Sequence, residues 1–278
     1  MNHRITFFES VLGEKIIVFP SHRGCVRTES GRVYFFKSGP ESRTFRCEAR
    51  GLQELASAGA IRAADVVSVG DDYILTCHVD DTRPRNGFFE QFGRALAQLH
   101  RHTAASFGFC ENNFIGANRQ MNVPSETERN DWTTFYFNKR LLYQFRLAER
   151  RGYAIPELRK GFARLESKIE SILKGSDDLP ALLHGDLWSG NFLCDPLNRP
   201  VLIDPAVYYG HREAELAMTT LFGGFPQEFY DAYSEAFPLK PGYDYRRDVY
   251  TLYHVLNHLN IFGEAYMHEA LSLLKRYE

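Results

Sequence analysis

Three oxygen-bearing side chains in one short part of this 278-residue chain are of types and spacing that suggest chemistry. Asp186 and Asn191 lie in LLHGDLWSGNFL (182–193), and Asp204 lies in the next apolar run, PVLIDPAV (200–207). A carboxylate and an amide carbonyl are what a hard divalent cation such as magnesium takes from a protein, with phosphate oxygens and waters completing its octahedron. A further carboxylate within reach of an alcohol can orient the hydroxyl and accept its proton as a phosphoryl group arrives. Asp204 and Asn191 suit the first task and Asp186 the second. Taken singly, each would serve as a turn or cap residue, because Gly, Asp, Ser and Asn all favour turns. The order of all three, on short apolar runs separated by polar turns, argues for more than a turn.

The same offsets occur in protein kinases, where H-R-D-L-x-x-x-N is followed by a strand and D-F-G. Here they read His184-Gly185-Asp186-Leu187 through Asn191, then Ile203-Asp204-Pro205. A kinase also needs a strand lysine, paired with a helical glutamate, to grip the nucleotide phosphates. Lys37 ends VYFFK, and Glu48 lies on the following FRCEARGLQEL, with Glu54 as the competing partner. A phosphate lid would fall in PSHRGCVRTESG, whose only glycines are Gly24 and Gly31. Backbone N–H groups at Gly24 could approach phosphate, and Arg23 would add charge. Cys25 in that stretch reads as a small packing residue or as an exposed thiol open to oxidation or to cross-linking two chains. Residues Thr76, Cys77, His78 and Val79 are expected to form the interlobe connection whose backbone meets adenine.

These side chains need two kinds of support. Up to Val79 the apolar residues come in short β-rich runs, EKIIVF, GRVYFFK and DDYILTCHV, with one helical stretch, FRCEARGLQELASAG, between the second and third. Beyond DDTRPRNG the apolar spacing turns helical in FFEQFGRALAQLHRH, DWTTFYFNKRLLYQFRLAERRG and LRKGFARLESKIESILKG. Asp131 suits an N-cap for the second of these helices. The chain therefore reads as α+β and bilobal: residues 1–79 form a small antiparallel-sheet lobe with one helix that includes the hinge, and 80–278 form a larger, mainly helical lobe.

Composition excludes several other classes. With 44% hydrophobic and 24% charged residues the chain is an ordinary globular protein. A net charge of −2 supplies no basic field for nucleic acid. The five cysteines, Cys25, Cys47, Cys77, Cys110 and Cys194, are odd in number and form no C-x-x-C pair, which fits a reducing, cytoplasmic setting. No apolar run of about 18 residues predicts a membrane span. His254 and His258 stand four apart on a helical pattern, a spacing compatible with metal, but no Glu follows His254 as a zinc-protease motif demands.

HGDLWSGN, together with the blocks DWTTFYFNKRLLYQ, IDPAVYYGHREAELAMTTLFGGFP and LNHLNIFG, resembles the fructosamine kinase (ketosamine 3-kinase) family, a branch of the aminoglycoside phosphotransferase-like kinases. The likeness spans most of the chain, and the Trp188-Ser189 pair marks the fructosamine branch. The resemblance implies a protein-kinase-like fold, ATP and Mg2+ as cofactors, and transfer of the γ-phosphoryl to the 3-hydroxyl of a ketosamine. Phosphate on that carbon leaves readily beside an enolisable carbonyl, so the product would eliminate it and free the amine. The resemblance further implies that Trp188 offers its face to the sugar, that His211 lines the acceptor site, and that Glu215 braces the catalytic loop. The glycine-poor lid departs from the family pattern. Two alternatives stay open: another small-molecule kinase of this fold, acting on an aminoglycoside or a choline-type alcohol, and a catalytically inactive kinase-like binding module. The expected partner is a free or protein-bound ketosamine, with neither nucleic acid nor membrane, and the chain is a monomer or homodimer.

Overall fold

The computed structural model describes residues 2–40, 42–176 and 178–277. Alternating inward residues such as Tyr34 and Phe36 make the first lobe a curved antiparallel sheet. Its strands are β1 (Ile16–Val18), β2 (Arg23–Thr28), β3 (Val33–Ser38), β5 (Val66–Val69) and β6 (Tyr73–Cys77), in the order β1-β2-β3-β6-β5. Helix α2 (Thr44–Ser57) lies against it and buries Cys47, Ala49, Leu52 and Leu55. Ahead of the sheet runs α1 (Asn2–Leu12), a helix that sequence reading missed. Its apolar stripe is thin: Phe8 is its fully buried residue, packed on Phe36 and Tyr73.

The second lobe is mainly helical, as its periodicity predicts. After α3 (Phe88–Leu99) come the hairpin β7 (Asn113–Ile115) and β8 (Asn118–Gln120), then α4 (Trp132–Tyr136), a wide π turn (Phe137–Leu142), α5 (Tyr143–Arg150) and α6 (Pro156–Leu173). Asp131 caps α4 by accepting the Thr134 N–H at 2.8 Å. The segment carrying Asp186, Asn191 and Asp204 is built on β9 (Ala181–Leu183), β10 (Phe192–Cys194), β11 (Pro200–Leu202) and β12 (Tyr208–Gly210). β10 and β11 form an antiparallel hairpin, and β9 pairs with β12. Helices α7 (Arg212–Thr219), α8 (Gln227–Ala236), α9 (Tyr243–Phe262) and α10 (Met267–Lys275) complete the lobe.

The lobes share more than a linker. The short strand β4 (Arg62–Ala63) leaves the first lobe and pairs in parallel with β11, and the Ala64 N–H donates to Leu202 O at 3.0 Å. One apolar core runs from Leu52, Leu55 and Ile74 to Phe92, Leu187 and Leu202. The hairpin β10–β11 is thereby held against the first lobe.

Candidate active site

Two cavities meet at the site. The first, about 220 Å³, lies under the sheet and is lined by Arg23, Lys37, Glu48, Asp204 and the whole connection Thr76, Cys77, His78 and Val79. The second, about 330 Å³, is lined by Asp186, Trp188, Asn191, Glu48 and Asp204, with the hairpin β7–β8 and helix α9 behind them. Glu48 and Asp204 belong to both walls, so a group held in one cavity faces a group held in the other.

Lys37 is where the sheet delivers a cation to the interior. Its ammonium lies 2.8 Å from Glu48 and also bonds Asp204. Burial works against its charge, but the two carboxylates outweigh it and raise the ammonium's pKa, so it stays protonated. Glu54, the competitor, instead accepts the Tyr209 hydroxyl at 2.7 Å. Six residues of helix rotate it to another face of α2 than that of Glu48.

The loop carrying Asp186 is fixed from beneath. Glu215, fully buried on α7, accepts the N–H groups of His184 (2.9 Å) and Gly185 (2.7 Å) and the ring of His100 (3.2 Å). Burial opposes its charge, yet these donors hold its carboxyl below the usual range. His184 donates Nε2–H to Ile203 O at 2.9 Å and accepts the Asp186 N–H at 3.3 Å, which ties the loop to the turn after β11 that carries Asp204. Gly185 has φ +84°, and a Cβ there would overlap the Ala206 carbonyl oxygen, so a larger residue would push the loop off β12. Asp204 itself holds φ +52°, a left-handed conformation that Asp tolerates better than most residues.

Asn191 donates to Asp186 O (2.7 Å) and to its carboxylate (3.1 Å), which leaves the amide carbonyl oxygen as the free end of the side chain. That oxygen and the Asp204 carboxylate form the donor set a magnesium ion takes when phosphates and waters supply the rest. Among the described residues no group of three or more His, Cys, Asp or Glu could hold a metal ion by itself. Burial pushes the Asp186 carboxyl up to about 8; the Asn191 amide opposes this, and the charges of Asp204 and Glu215 add to it. A carboxylate so placed has a strong appetite for a proton.

Trp188 is half-buried on the acceptor wall, edge-on to Phe222, whose ring meets His258 at 4.8 Å. His258, Asn113, Asn257 and Phe262 also line this cavity and were not picked out as site residues from sequence. They come from β7 and α9, distant in the chain; the block LNHLNIFG was a signal for Asn257, His258 and Phe262, and Asn113 had none.

His211 requires a correction. It does not face the acceptor cavity. Fully buried at the start of α7, it stacks with Tyr250 and borders a separate cavity with Asp178 and Ser176. The turn after β12 points it away from Asp186. Gly24 lies within β2, paired with Phe36, and the neighbouring Arg23 is the residue that lines the nucleotide cavity. The sheet turn beside that cavity is formed by residues 19–22, between β1 and β2, whereas Gly31 sits at the opposite end of β2. The Cys25 thiol is half-buried, 3.9 Å from His78 Nδ1.

A small sheet with a lysine–glutamate pair, a hinge-lined cavity and a loop carrying Asp and Asn before a short strand that is followed by Asp together define a protein-kinase-like phosphotransferase fold. Comparison narrows the class. The fructosamine kinase family model matches residues 5–277, and the chain belongs to that family. A probable ketoamine kinase of Enterococcus faecium is 38% identical over 258 residues, covering 91% of this chain and 90% of that protein. The chloroplastic protein-ribulosamine 3-kinase of Arabidopsis thaliana is 39% identical over 240 residues, covering 84% and 72%. The crystal structure of a candidate fructosamine-3-kinase from Thermobifida fusca superposes with a TM-score of 0.90 at 30% identity, covering 100% of this chain and 99% of that one.

Proposed function

We propose that this chain transfers the γ-phosphoryl group of ATP to the 3-hydroxyl of a ketosamine. The observation that carries the reading is the shared wall: Glu48 and Asp204 separate a cavity holding Lys37 and the hinge from one holding Asp186 and Trp188. In this reading adenine lies against Thr76–Val79, Lys37 grips the phosphates, and Glu48 keeps its ammonium aimed. Magnesium, held by Asn191 and Asp204, would neutralise phosphate charge. Asp186 orients the sugar hydroxyl and takes its proton, a role that its raised carboxyl suits. The Trp188 face packs on the sugar chain, and the aromatic wall of Phe222 and His258 keeps water away. No helix among the described residues is long and apolar enough to cross a membrane, and all five cysteines are unpaired, which supports a cytoplasmic site of action.

The test offers Mg-ATP with ribulosyl-lysine, fructosyl-lysine, kanamycin or choline and looks by mass spectrometry for one added phosphoryl group. Addition to the ketosamines alone is expected. Addition to kanamycin or choline would move the assignment to another kinase of this fold, and ATP binding without turnover of any acceptor would mark a binding module.

A further inference from the structure

A third cavity opens beside the acceptor cavity. It measures about 570 Å³ and is lined by Ser42, Arg43, Arg46, Cys47, Arg50, Asp71 and Glu111. Cys47 lines both cavities, and Thr44 of the acceptor wall lies between Arg43 and Arg46 in the chain, so the two spaces are continuous along the start of α2. Arg46 is paired with Asp71, and Arg50 with Glu111 at 3.2 Å. Arg43 is exposed; its carbonyl accepts the Cys47 N–H at 2.9 Å, and its guanidinium has no hydrogen bond or ion pair among the described residues. Arg119 is likewise exposed and unpaired, on β8 directly opposite Phe114, itself part of the acceptor wall. Burial and the Glu111 carboxylate push the Cys47 thiol up, while the positive charges of Arg50, Arg43 and Arg119 oppose them, which locates the three arginines around one point beside that acid.

Asp71 on the same wall feels the Arg43 charge but takes Arg46 as its ion-pair partner. Arg43 is the N-cap of α2, where the helix dipole favours an anion and the first turn carries no acidic residue. Two guanidiniums without an ion-pair partner among the described residues, Arg43 on the wall of the third cavity and Arg119 opposite Phe114 of the second, thus stand on either side of Cys47, which both cavities share.

We propose that Arg43 and Arg119 bind a carboxylate on the amine part of the ketosamine, so that the enzyme selects acceptors whose glycated amine carries a nearby acid. The inference rests on the ketosamine reading above. With the sugar against Trp188, the amine runs past Thr44 and Cys47 and brings its carboxylate between the two arginines. Guanidinium is suited to the task because its planar fork matches a carboxylate. The acid is either the carboxylate of a free glycated amino acid or a Glu side chain beside a glycated lysine in a protein.

Two pairs of substrates separate these sources. The first is Nα-acetyl-ribulosyl-lysine with its free carboxylate against the same compound as N-methylamide. The second is a C-terminally amidated pentapeptide with ribulosyl-lysine flanked by Glu against one flanked by Gln. At low ionic strength kcat/KM is expected to favour the acidic member of at least one pair by about 3- to 10-fold, through KM, as two solvent-exposed charge contacts allow. Preference in the first pair alone identifies a free amino-acid acceptor, and preference in the second a protein. In the Arg43→Gln, Arg119→Gln double variant the ratio should fall to near one. The Arg43→Lys, Arg119→Lys variant should retain most of it, and high salt should reduce it. Equal kcat/KM within both pairs, or a ratio unchanged in the glutamine variant, overturns the inference and leaves the phosphotransfer reading intact. Failure to phosphorylate any of the four overturns the phosphotransfer reading, and this inference with it.

Discussion

Asp186 is the most confined carboxyl of the acceptor wall. Its one side-chain partner, the Asn191 amide, stabilises the charged form, while burial and two neighbouring acids oppose it. An Asp that merely shaped a turn would gain nothing from such surroundings, whereas a group meant to receive a proton gains basicity. Asp186→Asn keeps the size and the polar contact with Asn191 and removes only the proton acceptor. It should lower kcat by about 10²- to 10⁴-fold and leave ATP affinity nearly unchanged, as steady-state kinetics and nucleotide titration would show. An unchanged kcat would return the residue to a structural role. At this scale much was legible, because Asp186, Asn191 and Asp204 lie within nineteen positions and their offsets alone bring them to one loop pair. His211 was misread for the opposite reason. The family resemblance suggested the cleft, but the turn into α7 decides direction, and no local pattern encodes that.

Among the elements, the pair α3 and α8 sets the platform under the catalytic loop. Gly93 on α3 is the point of closest approach: a Cβ there would overlap the Phe229 carbonyl oxygen and come within 3.1 Å of Tyr233 N. Tyr233 is the first link of a buried chain. Its hydroxyl meets His100 Nδ1 at 2.8 Å, His100 meets Glu215, and Glu215 holds the backbone of His184 and Gly185. Gly93→Ala should therefore force the helices apart and destabilise the fold by about 1–3 kcal/mol, seen as a lower urea midpoint with an unchanged slope. A midpoint equal to the parent's would show that the helix pair absorbs a methyl group. Amphipathic spacing announced α3 in the sequence, yet within FGRALAQ the glycine reads only as a weak spot, since the surface it touches is contributed 136 residues later by Phe229. Strands β2 and β5 escaped notice on similar grounds. Arg23 and Arg27 interrupt the apolar pattern of β2, and β5 buries none of its residues fully. Lys37 and Glu48 were legible as candidates, but choosing Glu48 over Glu54 took the packing of α2 on the sheet.

Across the whole molecule, the boundary near Val79 divides the chain but not the interior. β4 hydrogen-bonds to β11, and the core of α2 continues into α3 and the catalytic hairpin, so unfolding either lobe would strip apolar cover from the other. Such coupling implies one cooperative transition, and buried histidines supply a handle on it. Burial pushes His211 and His254 down to about 3; around them lie Asp178, Glu213, Arg212 and Arg246 for the first and His258 and Arg140 for the second. In the unfolded chain a histidine titrates near 6.5. Above that pH both states are neutral and stability does not change on this account. Between about 6.5 and 3 the unfolded state binds protons the folded state refuses, so stability falls as the pH drops, by about 1.4 kcal/mol per pH unit for each histidine. From pH 7 to pH 5 the two together should remove about 4 kcal/mol. Denaturation followed by fluorescence, whose two tryptophans Trp132 and Trp188 both report on the helical lobe, and by far-ultraviolet circular dichroism, which reports on both lobes, should give coincident midpoints throughout. Replacing one histidine, His254→Leu or His211→Leu, should shrink the loss between pH 7 and pH 5 by about 2 kcal/mol whatever it does to stability at pH 7. An identical loss in both variants would mean that these rings are protonated in the folded protein, and midpoints that separate as the pH falls would mean that the lobes unfold independently despite β4.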